Sequence, residues 1–559
     1  MTTEVFRFAP PYDLPTYEYR TPPELSGGKP GRYPVVIVGG GLSGLVLACD
    51  LAQRGVRSVV LDEDNTVGVR GASSRGICYA QKTLEILDCL GLAERAVAKG
   101  VAWSKGRTFS GMDEVYSFNL QAASVSEQPA FINLQQFYLE GFLVERIQEL
   151  GLTDLRWESH VTRVEPQADH VRLEIKTPEG TYPLQADYVV DGTGANSPLR
   201  TQLGLQTHAA HSPDRWCIAD IRFTKPLPTE RWTWVDAPFN GGRAVWQHLM
   251  PDSVWRMDYQ MPADADVDHI TRPETAGARL REQLGPDVDF EFVWIGAYQY
   301  RQHLLDDFRL GRLFFMGDSA HVVSPFGARG GNTGVQDAFN LGWKLALALQ
   351  GKVSDSFLTS YTAERRPACA ENLQVTSRTA RFLAPRSPAE HTLRRAVLDL
   401  ARHHEFARPL VNTGRMSVAN SYPPSPWLPQ GARTVQNLRL DTAGGAPTRL
   451  MALLRGHVQF LALWFDPAPE QVRQAQALMQ THELPVQVLA VGGQQPDLID
   501  TGGRLARHLG LDPSSHAGTL CLVRPDAYLG ATLPGCSSDA LLQAVRTALG
   551  PSSPQPATH

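Results

Sequence analysis

Hydrophobic positions along the chain fall into blocks of different period. An apolar run from Pro34 to Val38 is followed by three glycines. Leu45, Ala48 and Leu51 then recur at helical spacing, Gly55 stops the pattern, and a second apolar run ends at Asp62. This reads as strand, tight turn, helix, strand. Helical stripes return in Ala80–Gly100 through Leu84, Leu87 and Leu90, and in Phe131–Leu150 through Leu139, Phe142, Leu143 and Ile147. Strand alternation follows in Leu155–Pro166, His170–Thr177 and Ala186–Gly194. From 215 to 300 the sequence is Trp-rich and alternating, with short Pro, Gly and Asp turns that predict an antiparallel sheet. Six tryptophans lie there, and a single core face is their expected place, with a few lining a pocket. After a strand at Leu313–Met316 and a glycine-rich turn, long helices are expected. Residues 384–440 are Pro- and Arg-rich with weak periodicity, and from 458 onward β and α segments alternate.

The first block carries chemistry. Gly39, Gly41 and Gly44 stand at GxGxxG spacing, where a tight turn, a close backbone approach and a helix–strand crossing each require glycine. A pyrophosphate would meet the free amides of the helix N-terminus. Asp62 follows at the distance where an acid accepts ribose hydroxyls. The dinucleotide at this point is NAD or FAD. A second glycine cluster, GDSAHVVSPFGARGGNTG, puts Asp318 after a buried strand and Gly330, Gly331 and Asn332 at a helix start, ready to face a ring or a ribityl chain. Arg75 ends a loop after the first dinucleotide strand and could reach a phosphate.

Composition narrows the rest. At 559 residues, with 42% hydrophobic and 20% charged residues, several domains of an ordinary globular protein are expected. A net charge of −5 gives no basic excess for nucleic acid or anionic membrane. Polar and Pro-rich residues open the chain, and glycines interrupt the apolar stretch at 34–48, so a cytoplasmic location without membrane contact is expected. The seven cysteines show no CxxC or metal-ligand spacing, so reduced thiols and no metal are expected.

With both glycine clusters in place, the chain resembles the flavoprotein aromatic hydroxylases, single-component FAD monooxygenases that include 3-(3-hydroxyphenyl)propionate hydroxylase and phenol hydroxylase. GGGLSG resembles their ADP-binding turn, GRLFFMGDSAHVVSPFGARGGNTGVQDAFNLGWKLA their flavin-binding motif, and YTAERRP the helix that follows. The resemblance implies a Rossmann-like α/β FAD-binding domain of glutathione-reductase type (32–110, 150–210 and 308–385). Interleaved with it would be a mainly antiparallel β-sheet substrate domain (111–149 and 211–307). An irregular arm (1–31), a connection (386–440), a thioredoxin-like α/β domain without CxxC (441–550) and a disordered tail (551–559) complete the expected division.

The same resemblance implies FAD contacts at Gly39, Gly41, Leu42, Ser43, Gly44, Asp62, Glu63, Arg75, Gln136, Val161, Thr193, Gly194, Asp318, Pro325, Gly330, Gly331 and Asn332. NADH or NADPH would reduce the flavin transiently, and a flavin hydroperoxide formed from O₂ would hydroxylate a phenolic ring. One position departs from the pattern: where the family has DGxxSxxR, Thr193 replaces the aspartate, and Asp191 stands two residues earlier. Trp246 and His248 share a strand face, and with Tyr298 and Phe326 they are the candidate substrate residues. His248 and the Pro325 carbonyl are the catalytic candidates, His248 as acceptor of a phenol proton. His321 of GDSAH is expected to be structural. A fused-ring polyketide or antibiotic substrate, and a non-hydroxylating FAD scaffold, are the alternative readings. Members of the family are commonly dimers, which leaves a homodimer open here.

Overall fold

The computed structural model describes residues 14–27, 31–68, 77–121, 124–211, 214–223, 227–411, 416 and 418–550. Arg75, the first thirteen residues and the tail from 551 lie outside them. The first apolar run is strand β1 (Gly31–Val38), followed by helix α1 (Leu42–Gln53) and strand β2 (Ser58–Leu61). β1 is flanked in parallel by β2 and by Gly180–Asp191. Thr153–Arg156 extends this parallel order beyond β2, and Leu313–Phe315 extends it beyond Gly180–Asp191. The near-continuous apolar character of these strands follows from burial on both faces. Helix α1 packs between the helix Gln136–Leu150 and the long helix Gly330–Leu349, so the two glycine clusters meet over one sheet edge.

The Trp-rich segment forms an antiparallel sheet in the order 290–298, 215–223, 254–261, 243–249 and 231–237, continued by 105–110 and 113–119. Its tryptophans do not share one face, contrary to the expectation from sequence. Trp232, Trp234 and Trp255 pack on the outer face, where Ala276 and Leu280 of the helix Pro273–Leu284 cover them, whereas Trp216, Trp246 and Trp294 face the opposite way. The side-chain period of two places alternate residues on opposite faces, and the aromatic positions here occur at both parities.

Three further differences have local causes. The pattern over Ala80–Gly100 is two helices, Gln81–Cys89 and Ala93–Lys99, because Gly91 at φ +78° ends the first. Phe131–Asn133 is a strand and the helix starts only at Gln136. Within 384–440 lies a helix at Pro388–His403, capped by Ser387 and burying Arg394, Val397, Leu398 and Ala401 at i, i+3, i+4 and i+7. The N-terminal segment is also tied down more firmly than a surface arm: Tyr17 stacks on Trp157 at 4.4 Å, and buried Glu24 accepts from Arg156 at 3.0 Å. Beyond residue 433 the strands and helices form a mixed eight-stranded sheet with flanking helices. Among the described residues no helix is long and apolar enough to cross a membrane.

Candidate active site

The turn between β1 and α1 is built as its glycines require. Gly39 has φ +105°, and a Cβ there would lie 2.6 Å from the Gly192 carbonyl oxygen; a Cβ on Gly44 would lie 2.0 Å from the Gly39 oxygen. Both glycines serve close backbone crossing. Gly41, by contrast, is the N-cap of α1, with no side-chain cap and only Glu140 Oε1 as near as 4.0 Å. The Leu42 amide faces Glu140, and the next amides of the first turn lack a side-chain cap and point toward a ligand.

The second cluster converges on the same place. Ser43 Oγ lies where a Cβ on Gly317 or Gly334 would stand, at 2.7 and 2.3 Å, and Leu42 is in van der Waals reach of Gly331. Gly330 has nothing closer than Val323 at 3.7 Å, and the helix it opens has no side-chain cap. Two uncapped helix N-termini thus share one crevice. Gly194, at φ +86° with no neighbour within 4 Å, lies after the Gly192 contact with Gly39, and exposed Asp318 stands beside Gly317. This fits a dinucleotide whose pyrophosphate meets α1 and whose ring system meets the second helix.

Side chains around the crevice are engaged in distinct ways. Asp62 accepts from the amides of Gly40 at 2.5 Å and Asp64 at 2.8 Å, and burial pushes its carboxyl up to about 6. Gln136 donates to Glu140 at 2.7 Å. Glu140 also accepts the Gly68 amide at 2.8 Å, and burial pushes it up to about 7. Glu140 is a site residue that sequence reasoning passed over, although its place four residues after Gln136 marks it. Glu63 is exposed and meets His160 Nδ1 at 2.8 Å. Two of the expected contact residues have side chains engaged elsewhere. The Val161 side chain is buried in the core beneath the parallel strands, so it offers no side-chain contact to a cofactor. The Asn332 side chain accepts from Ala80 N and Thr83 Oγ1 and donates to the carbonyls of Cys78 and Ala328, which leaves its backbone amide for a ring. The Pro325 carbonyl closes a turn by accepting the Ala328 amide at 3.2 Å, with Ala328 at φ +56°.

His321 is fully buried, 2.5 Å from Asp337, whose other oxygen takes Arg365 Nε at 2.7 Å. Cys369 completes a group with ligand atoms within 4.8 Å of one another. The guanidinium already paired with Asp337, together with the Gly317 amide it accepts at 3.1 Å, makes this a brace for the Gly317 turn.

Beside the crevice, the inner face of the antiparallel sheet carries a buried polar cluster next to an aromatic one. Trp216 and Trp246 stack at 4.5 Å, and Phe326 meets Trp246 edge-on at 5.0 Å and Tyr300 at 5.3 Å. Trp246 and His248 do share this face, with half-buried Tyr298 at its edge. His248 Nε2 lies 3.5 Å from Asp258 Oδ2, while its Nδ1 is buried without a hydrogen-bond partner among the described residues. Burial, reinforced by neighbouring Arg231, lowers His248 to about 4, so the imidazole is neutral. With Nε2–H directed to Asp258, Nδ1 is the free acceptor. Pairing of Trp232 with Gln247 sets Arg231 beside His248. Arg231 and Asp258 were not legible as site residues, because only the strand register aligns them with His248.

Cys78 connects the two regions: its carbonyl accepts from Asn332 at 2.8 Å, and its sulfur lies 4.0 Å from Arg231 Nη1. Asn133 accepts from Cys78 Sγ and Trp103 Nε1 and donates to the Leu249 carbonyl, which fixes the sheet against the cofactor cradle.

A parallel sheet with two glycine-built helix N-termini facing a shared crevice, beside a cluster of stacked aromatic side chains, defines a dinucleotide-dependent oxidoreductase. The chain belongs to the FAD binding domain family, which matches residues 32–376, and to its flavin aromatic hydroxylases. It is 29% identical over 539 residues to the 12-dehydrotetracycline 5-monooxygenase/anhydrotetracycline 6-monooxygenase of Streptomyces rimosus, covering 93% of this chain and 99% of that one. It is 25% identical to a 3-(3-hydroxy-phenyl)propionate/3-hydroxycinnamic acid hydroxylase of Mycolicibacterium smegmatis, over 74% of each chain. The solved structure of an anhydrotetracycline hydroxylase from Streptomyces rimosus superposes with a TM-score of 0.71 at 27% identity, covering 93% of this chain and 100% of that chain. The protein is an FAD-dependent aromatic monooxygenase, and NAD(P)H is the family's usual reductant.

Proposed function

We propose that this monooxygenase hydroxylates the ring of a phenolic substrate, with His248 accepting the phenol proton at Nδ1 and the aromatic wall of Trp246, Trp216 and Phe326 holding the ring. The observation that carries this reading is the partnerless Nδ1 of a neutral, buried histidine whose other nitrogen faces Asp258. FAD, once reduced, supplies the activation of O₂. The residues of the chain orient the ring, withdraw its proton and keep water away. Drawing the hydroxyl proton toward His248 raises electron density on the ring carbons, the change that an electrophilic oxygen transfer requires. Asp258 supports the imidazole as it gains charge. Thr193 and Gly194 are the residues we assign to the pyrophosphate side, with the Thr193 hydroxyl turned toward Asp191.

A small phenol such as 3-(3-hydroxyphenyl)propionate and a fused-ring polyketide are both compatible with this chemistry. Similarity to the tetracycline-pathway enzyme runs through 93% of the chain and similarity to two hydroxyphenylpropionate hydroxylases through 74% and 88%, so the two readings stand about level. The test is NADH and NADPH oxidation with O₂, with and without a panel of small phenols and anhydrotetracycline, followed by product analysis. A hydroxylated product and ligand-stimulated oxidation are expected. Oxidation that no aromatic compound stimulates would count against the reading.

A further inference from the structure

Arg231 is nine-tenths buried, yet no carboxylate lies within 4.0 Å of it among the described residues; its polar contact is the Cys78 sulfur at 4.0 Å. The neighbouring buried guanidinium on this sheet face, Arg256, is held by Asp220 through two bonds of 2.7 Å. The charge of Asp258 is felt by Arg231, but the carboxylate makes its contact with His248 at 3.5 Å. A desolvated guanidinium with no carboxylate in direct contact is costly, and such groups are kept where something else supplies the contact. The surroundings say what that is. The Arg231 guanidinium lies over the Trp246 ring at 5.7 Å, beside an aromatic wall on which Trp216 Nε1 is a second buried, partnerless donor. Cys78, its one polar contact, is bonded through its carbonyl to Asn332 at the start of the cofactor helix. The cation therefore sits where an aromatic substrate would lie against the cofactor cradle.

Resting on the hydroxylase reading above, we propose that Arg231 anchors an anionic oxygen of the aromatic substrate, a carboxylate or an ionised enol, so that the substrate is an organic anion. The planar fork of the guanidinium suits two-oxygen recognition of either group, and the adjacent rings would hold the attached aromatic skeleton. His248, on the next strand, is then left for the ring hydroxyl.

The test uses FAD-loaded protein and follows perturbation of the flavin absorbance as ligand is added. The probes are 3-(3-hydroxyphenyl)propionate, its neutral counterpart 3-(3-hydroxyphenyl)propan-1-ol, and anhydrotetracycline as the enol-bearing probe. In the unsubstituted protein one of the two anionic probes should bind at least tenfold more tightly than the alcohol, and which one does so separates the carboxylate source from the enol source. Arg231→Met should lower that affinity at least tenfold, leave the alcohol within about twofold, and retain FAD with an unchanged or higher Tm; Arg231→Lys should keep part of the preference. Equal binding of anion and alcohol, no binding of any probe, an unaltered preference in Arg231→Met, or a Tm lowered by several degrees with loss of FAD would each overturn the proposal. The hydroxylase reading fails differently, by the absence of aromatic-stimulated NAD(P)H oxidation in the unsubstituted protein.

Discussion

Thr193 donates both its amide, at 2.9 Å, and its hydroxyl, at 2.6 Å, to the same oxygen of Asp191. The other Asp191 oxygen accepts from Ser197 Oγ, the N-cap of the short helix that carries Arg200. The turn that the resemblance pictured with an aspartate at 193 is thus organised around an acid two residues earlier, fully buried and facing into the protein. Burial raises the Asp191 carboxyl, and the three donors act against that rise.

This arrangement predicts opposite behaviour for two substitutions. Thr193→Val removes one donor to a buried carboxylate and should cost about 1–3 kcal/mol of stability. Thr193→Asp sets a second carboxylate against the first, so one of the pair must hold a proton. Its destabilisation should be smaller at pH 5 than at pH 8, because protonation at low pH relieves the repulsion. Thermal unfolding of FAD-loaded variants at the two pH values checks both, and a Thr193→Asp penalty that does not change with pH would contradict the buried orientation of Asp191.

Glycines in the two clusters are expected to separate by role. A Cβ on Gly44 would meet the Gly39 oxygen at 2.0 Å, within the rigid crossing of helix and strand. Gly44→Ala should therefore destabilise by about 3 kcal/mol or more and abolish FAD retention. A Cβ on Gly331 would make only ordinary contact with Leu42 at 3.4 Å. Gly331→Ala should fold with stability near that of the unsubstituted protein and show its loss in FAD affinity, since the added methyl occupies ligand space. Fluorescence titration of apoprotein with FAD, beside chemical denaturation, distinguishes the two.

These examples also mark what was legible in the sequence. Gly39, Gly44 and Asp62 announce themselves because a parallel strand, a crossing and a helix start leave few alternatives to their residue types. The long-range partners do not. His248 was visible as an alternating polar position, but its relation to Asp258 and Arg231 exists only in the strand register, with Trp246 opposite Asp258 and Trp232 opposite Gln247. Asn332 was legible as a helix-start residue, but the role of its side chain in clamping the Cys78–Ala80 strand was not. The Pro388–His403 helix escaped notice because the surrounding Pro and Arg residues masked its four-residue buried stripe.

Glu364 joins the cofactor helix to the C-terminal sheet. It accepts from Lys344 at 2.8 Å, from Asn340 at 2.7 Å and from Arg524 at 2.9 and 2.7 Å, all buried. Burial opposes its ionisation, yet Arg524 and Lys344 hold the carboxyl down to about 2. Glu364→Gln would take the carboxylate from buried Lys344 and leave Arg524 with Asp526 alone, and a loss of about 3 kcal/mol is expected. Since the folded carboxyl titrates below its unfolded value, its stabilisation is complete above about pH 4.5 and fades as pH falls toward 2. Faster proteolytic release of the C-terminal region in Glu364→Gln at neutral pH would support the coupling; an unchanged digestion pattern and Tm would argue against it.

The position of His248 makes the last prediction, in which stability and activity are read together. Its folded-state value of about 4 lies below the ordinary imidazole value, so the unfolded chain takes up a proton near pH 6.5 that the folded chain refuses. This group's contribution is constant above about pH 7 and is lost as pH falls from 6.5 toward 4, to a total of about 3 kcal/mol. His248→Asn should remove that part of the pH dependence, flattening the difference in urea stability between pH 7 and pH 5 by about 2 kcal/mol. If the neutral Nδ1 accepts the substrate proton, kcat/KM in the unsubstituted enzyme should show no acid limb from a normal imidazole near pH 6.5, and His248→Asn should lower kcat by about a hundredfold while FAD stays bound. A histidine that only fills space would give the stability change alone. A clear titration of kcat/KM near pH 6.5 that persists in His248→Asn would assign that proton to another group and remove His248 from the chemistry.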